Sequence, residues 1–392
     1  MKSSPIKLIN RQGLALCFGA ETLAGIMGFA SMIHLARHLE APGFARLEIA
    51  MATAGWLLVM VRGGLDQVVV REAAKHPRLI NSLSIALMQL RFVWAILASL
   101  IVAIVATMSH DPSLVFVAGL ILIPSVLVAD IGPKACNKLG FLAAIQAIKA
   151  CAIMLLTIVL IHDSRQILLA ASIAALAESI VAIITLIHQP ISWTFRFRKR
   201  LALILSSRAI VAGLTRFGRV GLYAIDAIAL RYAAESTGEY AGVRRIIFAM
   251  LSIGIVLPAI LAPNLARSRT CQDRSKAVAQ GLRLTLELFV PAAVGLSMIV
   301  GPGIEILFGP SFDGHLPFMV LVVARLPIML VATWLQSALV AFGHDRLSLR
   351  LVTVTILFAL AVLPVATYFW GVYGIAVALL CTESIMAVGG VW

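Results

Sequence analysis

The stretch LSIALMQLRFVWAILASLIVAIVAT, residues 83–107, carries a single charge, Arg91, and is long enough to cross a membrane as one helix. A crossing needs about 20 apolar residues. Similar stretches recur along the chain, near 13–36, 44–69, 114–131, 140–161, 166–187, 209–230, 245–266, 282–300, 316–342, 349–369 and 372–391, with that at 114–131 the shortest. Composition agrees. Of the 392 residues 61% are hydrophobic and only 13% charged, with a mean hydropathy of +1.01. A soluble domain carries about 25% charged residues, and a globule of this size has no room to hide so much apolar surface. Lipid must solvate it. The expectation is an all-α polytopic membrane protein of about twelve transmembrane helices.

The polar breaks alternate in charge. One set holds Lys2, Lys7 and Arg11, then Arg71, Lys75 and Arg78, then Lys134 and Lys138, and continues with Arg196, Arg198, Lys199, Arg200 and Arg208. Arg267, Arg269, Arg274, Lys276, Arg346 and Arg350 complete it, and against its few acids this side sums to roughly +15. The other set, with Arg37, Glu40, Asp111, Asp163, Arg165, Arg231, Glu235, Glu239, Arg244, Arg245, Glu305 and Asp313, comes to roughly −2. Basic loops stay in the cytoplasm, which puts both termini there. The net charge of +14 therefore follows membrane topology and does not call for nucleic acid. The polar start, Met1 to Arg11, is followed by no small-residue cleavage site, so no cleavable leader is expected. The cysteines, Cys17, Cys136, Cys151, Cys271 and Cys381, are scattered and read as small packing residues.

The chain divides near its middle. A basic and aromatic run, Trp193-Thr194-Phe195-Arg196-Phe197-Arg198-Lys199-Arg200, suits a helix in the headgroup layer. This gives a bundle at 1–190, an interfacial linker at 191–208 and a second bundle at 209–392. The halves resemble each other. Ile33-His34-Leu35-Ala36-Arg37, then Pro42-Gly43-Phe44, matches Ile228-Ala229-Leu230-Arg231, then Thr237-Gly238-Glu239-Tyr240. Gln89-Leu90-Arg91 likewise matches Gly281-Leu282-Arg283. Six helices per half give a parallel repeat, an arrangement that leaves a central cavity between bundles.

Charges interrupt the apolar segments at Glu21, Arg62, Asp66, Arg91, Lys149, Glu178, Arg216, Arg219, Asp226, Arg283, Glu287, Arg325 and Glu383. Each costs a few kcal/mol in hydrocarbon unless it faces a cavity or a partner. Arg91, Arg216 and Arg283 lie near segment ends, within reach of the headgroups. Arg62 with Asp66, and Arg283 with Glu287, stand four residues apart and suit local ion pairs. Arg219 and Asp226 share a helix face, while Lys149 and Arg325 lie deep in their segments, which favours a polar lumen. The sequence holds no GxxxxGK[ST], no HExxH and no Ser/His/Asp constellation, so neither a nucleotide-binding subunit, a metal site, a cofactor nor a catalytic residue is expected.

Several stretches resemble Wzx-type polysaccharide flippases of the MOP exporter superfamily. They are Arg37 to Phe44 with Gly63-Gly64-Leu65-Asp66 and Val70-Arg71-Glu72, then Asp226-Ala227-Ile228-Ala229-Leu230 with Gly238-Glu239-Tyr240. Pro291 to Leu296, Ile306-Leu307-Phe308-Gly309-Pro310-Ser311-Phe312, the most distinctive, and Gly371 to Ala376 complete the set. The resemblance implies a MATE-like fold of two rocking bundles that moves a polyprenyl-pyrophosphate-linked oligosaccharide across the bacterial inner membrane. It further implies contact with membrane lipid, and a polysaccharide polymerase and a chain-length regulator as partners, with coupling to H+ or Na+ left open. In that family helices one, two, seven and eight line the cavity. This singles out Arg62, Arg216 and Arg219 as cargo-binding cations, beside Lys149 and Arg325, with Glu21, Asp66 and Asp226 as lumen or coupling acids. A pyrophosphate suits an arginine fork. Three alternatives stand. A MATE-type drug exporter shares the fold but favours cationic cargo, a lipid II flippase usually has two further helices, and a non-transporting scaffold of glycan assembly has no sequence mark. A glycosyltransferase or polymerase would need a polar domain that no break provides.

Overall fold

The computed structural model describes residues 11–390 except 63–65, 67–68, 70–72, 74–78, 136–138, 189–198, 234–235, 255–269 and 313–316. The N-terminal half comprises α1 (Arg11–Arg62), α2 (Ile80–Thr107), α3 (Pro112–Gly119), α4 (Leu122–Leu127), α5 (Ile131–Ala135), α6 (Leu139–Leu160) and α7 (Ile167–His188). The C-terminal half comprises α8 (Lys199–Ala229), α9 (Thr237–Gly254), α10 (Cys271–Phe308), α11 (Phe318–Ala341) and α12 (Asp345–Gly389).

Two of these helices are folded over on themselves. α1 breaks at Glu40, whose φ of 59° lies in the left-handed region, and restarts through Pro42, which suits the first turn of a helix. α12 breaks at Gly371, φ 54° and ψ −133°, a conformation that glycine adopts without a Cβ clash. Each limb is long enough for its own crossing. With both counted as pairs, and α3–α4 as one short pass, the described residues form six passes per half. The charged α8 and α9 fall outside the seven helices that qualify as spans on hydropathy.

The shortest expected segment, 114–131, is interrupted as α3, α4 and α5. Pro124 sits inside α4 and brings no N–H to the ladder. The expected linker at 191–208 has a different character in its second part. Residues 199–208 are helical and run directly into the seventh pass as α8, whereas Trp193 to Arg198 lie outside the described residues.

Packing follows residue size. α2 buries Ala95, Ala98, Val102 and Ala106 and presents Phe92, Ile96, Leu100 and Ile104 outward, the inside-small, outside-large pattern of a helix facing lipid. In the other half a Cβ on Gly281 of α10 would meet the Trp334 ring of α11 at 1.9 Å. That indole is 1% exposed and donates to the Val278 carbonyl at 3.0 Å, so it has nowhere to retreat. Gly281→Ala is expected to lower stability by about 1–3 kcal/mol through overpacking. Thermal unfolding in detergent measures this, and an unchanged midpoint would show that the two helices are not held this close.

Candidate functional site: a closed gate and two buried charge clusters

At one end of the molecule the halves are sealed together. Arg37, ending the first pass, donates from Nε to the Leu307 carbonyl and from Nη2 to the Ile306 carbonyl, both at 2.8 Å. Arg231, ending the seventh pass, donates to the Met108 carbonyl at the end of the third. These arginines occupy matching positions in the repeated motif. Each caps carbonyls in the opposite half, so the seal has a pseudo-twofold character. Between them the Phe44 ring lies 6.1 Å from Phe308 and 6.0 Å from Phe312, all three buried. The residues from 306 to 312, the most distinctive of the flippase-like stretches, thus form one side of the seal. Gly238 brings backbones into contact, since a Cβ there would stand 2.5 Å from the Ala41 carbonyl oxygen. Deeper in, Trp56 Nε1 donates to the Phe217 carbonyl at 3.0 Å.

Behind the seal runs a chain of alternating charges. Arg245 and Arg244 of α9 grip Glu48 of α1, at 2.7 Å from Arg245 Nε and 3.2 Å from Arg244 Nη1. Arg244 Nε also donates to Asp226 Oδ1 at 2.9 Å, and Arg325 Nη1 donates to Asp226 Oδ2 at 3.0 Å. Arg325 Nη2 stands 3.6 Å from Glu383 Oε1, too far for a hydrogen bond, while Arg219 Nη1 donates to Glu383 Oε2 at 2.9 Å. Arg219 is further held by Thr333 Oγ1 at 3.2 Å and lies over the Tyr223 ring. Four arginines face three carboxylates, and all but Arg245 are buried. Each carboxylate touches two guanidiniums, the arrangement that best repays desolvation.

A second cluster lies inside the N-terminal bundle. Glu178 of α7, 1% exposed, is bridged by Arg62 from α1 and by Lys149 Nζ of α6 at 2.8 Å. Arg91 of α2 donates to Asp66 at 2.7 Å and to the Val128 carbonyl at 2.7 Å. It also approaches Asp130 at 3.7 Å, which is paired in turn with Lys134. A cavity of about 310 Å³ opens beside these groups, lined among others by Arg62, Asp130, Lys134, Gln146, Lys149 and Glu178.

The structure brings together most of the residues singled out from sequence, in unexpected pairings. Arg62 pairs with Glu178, and Asp66 with Arg91, so the local Arg62–Asp66 pair is not the one formed. Arg62 and Lys149 share one cavity within the N-terminal bundle. Arg219, Asp226 and Arg325 belong to one chain in the C-terminal bundle. Arg216 is exposed on α8 and forms no ion pair among the described residues. The Glu21 side chain lies outside the described residues, as do Pro258 and Pro263 of the eighth segment. Of the three arginines placed near headgroups, Arg283 is exposed and bonded to Glu287 at 2.6 Å, but Arg91 is wholly buried. Arg91 could not snorkel because two carboxylates and a carbonyl already satisfy it inside the bundle. Sequence reasoning missed Glu48, Arg244 and Arg245. The last two looked like loop residues, yet α9 begins at Thr237 and places Arg244 two turns inside.

No protein-family model matches the chain, and no curated protein matches its sequence. Solved structures do match its fold. Lipid II flippase MurJ in an inward closed conformation superposes with a TM-score of 0.77 at 12% identity, over 96% of this chain and 87% of that one. A multidrug resistance MATE family transporter of the MOP superfamily, inward-facing, gives 0.70 at 10% identity over 96% of each chain. The MATE multidrug transporter DinF-BH gives 0.66 at 15% identity over 100% of this chain and 97% of that one. The chain is a multi-pass membrane protein with the MATE-like fold.

Proposed function

We propose that this chain is a MOP-type flippase that carries a polyprenyl-pyrophosphate-linked oligosaccharide across the bacterial inner membrane by alternating access, for O-antigen, capsule or exopolysaccharide synthesis. The observation that carries the reading is the cationic excess of the charge chain, which the half-buried Arg245 supplies. The chain behind the gate sets four arginines against three carboxylates, and Arg216 on α8 adds an exposed cation. An interior biased this way favours an anionic cargo and disfavours the cationic drugs of a MATE exporter. With both termini in the cytoplasm, the sealed end faces the periplasm and the conformation is inward-facing. Sugars would follow the polar path while the polyprenyl tail stays in lipid. A polysaccharide polymerase and a chain-length regulator would receive the cargo, and H+ or Na+ would drive the cycle.

A strain lacking this chain is expected to lose surface polysaccharide and to accumulate the lipid-linked repeat unit, with both restored by a plasmid copy. Unchanged surface glycan together with sensitivity to cationic dyes would instead identify a drug exporter.

A further inference from the structure

The cavity inside the N-terminal bundle has features that a merely structural ion pair does not need. Glu178 is buried, but the two cations that hold it are half-exposed, Arg62 at 27% and Lys149 at 30%, and both border open volume. A third cation, Lys134, lines the same space at 37% exposure. Arg62 Nε is buried and meets no hydrogen-bond acceptor among the described residues, so within them its guanidinium has a donor to spare. Arg62 from α1 and Lys149 from α6 contact Glu178, and the other polar groups lining the cavity among the described residues are Gln146 of α6, Thr185 of α7, and Asp130 with Lys134 at α5. Asp130 is itself committed to Lys134 and Arg91. At about 310 Å³ the cavity is at the small end of ligand sites, which run from about 300 to 1,000 Å³. It suits a headgroup and is too small for an oligosaccharide.

We propose that this cavity is a proton-linked phosphate site, in which a phosphate-bearing ligand takes Arg62 and Lys149 away from Glu178 and Glu178 takes up a proton. Glu178 occupies the place of the ligand in the resting state, a carboxylate held by the two cations that would otherwise grip phosphate oxygens. When those cations turn to the ligand, a carboxylate 1% exposed is left with no counter-charge, which is costly in a medium of low dielectric. The proton comes from solvent hydronium, whose O–H bond breaks as an O–H bond forms on Glu178 and a water molecule is released; no other covalent bond changes. The coupling has a definite sign. The ligand-free site holds Glu178 ionised and the occupied site holds it protonated, so binding consumes a proton and tightens as pH falls. The choice of phosphate rests on the flippase reading, whereas the displacement geometry does not.

The test uses the full chain in phosphatidylcholine nanodiscs and, as probe, the dimethyl diester of pyrophosphate, whose charge is constant across the range. Wild-type affinity is expected to fall about tenfold per pH unit between about pH 6 and 8, as one linked proton requires. Glu178→Gln should bind at least as tightly as the wild type at low pH, with no slope. Arg62→Gln and Lys149→Gln should each weaken binding about tenfold. Competition by phosphatidylglycerol in the disc would assign the site to a lipid headgroup, and its absence to the cargo's pyrophosphate. Either outcome keeps the site. A flat wild-type pH profile, a slope retained in Glu178→Gln, or unaltered binding in both cation variants would overturn the proposal, and the first needs no variant to fold. A chain that shows the slope but moves no glycan would sink the flippase reading alone. One that moves glycan but shows no slope would sink this site alone.

Discussion

Arg219→Glu is expected to cut the yield of folded protein and, on the proposed flippase function, to abolish glycan export, and a second change, Glu383→Arg, is expected to recover most of the yield. The single substitution sets a carboxylate against Glu383, which already lies 2.9 Å from Arg219, and strips Thr333 and the Tyr223 ring of their cation. Breaking one buried pair costs about 3–5 kcal/mol because the other charge is left unpaired. Repulsion and the adjoining Arg325 add to the disturbance, since Glu383 is shared between both arginines. The swapped pair restores alternation along the chain but not the hydrogen bonds that only a guanidinium makes at position 219. Thermal unfolding and detergent-extracted yield measure the first effect, and surface glycan the second. A single variant as stable as the wild type would mean that Arg219 faces water and not Glu383.

The gate predicts a second large effect. Arg37 and Ile306 are exposed neighbours at the seal, Arg37 Nη2 lying 2.8 Å from the Ile306 carbonyl, and they belong to opposite halves. A short bis-maleimide joining Arg37→Cys to Ile306→Cys would tie the first pass to the end of the ninth and forbid opening. Export should then fall more than about tenfold, while the same double variant before reaction keeps most of its activity. The losses differ in kind, because removing an exposed arginine deletes two solvent-screened hydrogen bonds, whereas the tether removes a whole conformation. Undiminished export from the tethered protein would show that this end never has to open.

The passes were legible in the sequence because lipid imposes one rule on every spanning residue, and a run such as 83–107 obeys it visibly. The repeat was legible too. Arg37 and Arg231 fall at matching positions of the two motifs and occupy matching positions in the seal. Their role was not legible, because a carbonyl acceptor leaves no trace in sequence. The pairings were the least readable feature. Spacing reports only neighbours on the same helix, so Arg62 pointed to Asp66, while the structure gives it Glu178 over a separation of 116 residues. Glu48 did offer a signal, as an acid four residues into an apolar segment, and Arg244 became interpretable only once α9 was seen to begin at Thr237.

The central claim is the movement of an anionic lipid-linked glycan, and reconstitution tests it most directly. The purified chain is placed in proteoliposomes with a fluorescent polyprenyl-pyrophosphate oligosaccharide, and a membrane-impermeant glycosidase reports which leaflet holds the sugar. The account predicts that glycan initially protected inside becomes cleavable at a rate that depends on the chain and is lost in Arg219→Glu. Glycan that stays protected while a cationic dye is transported would contradict it.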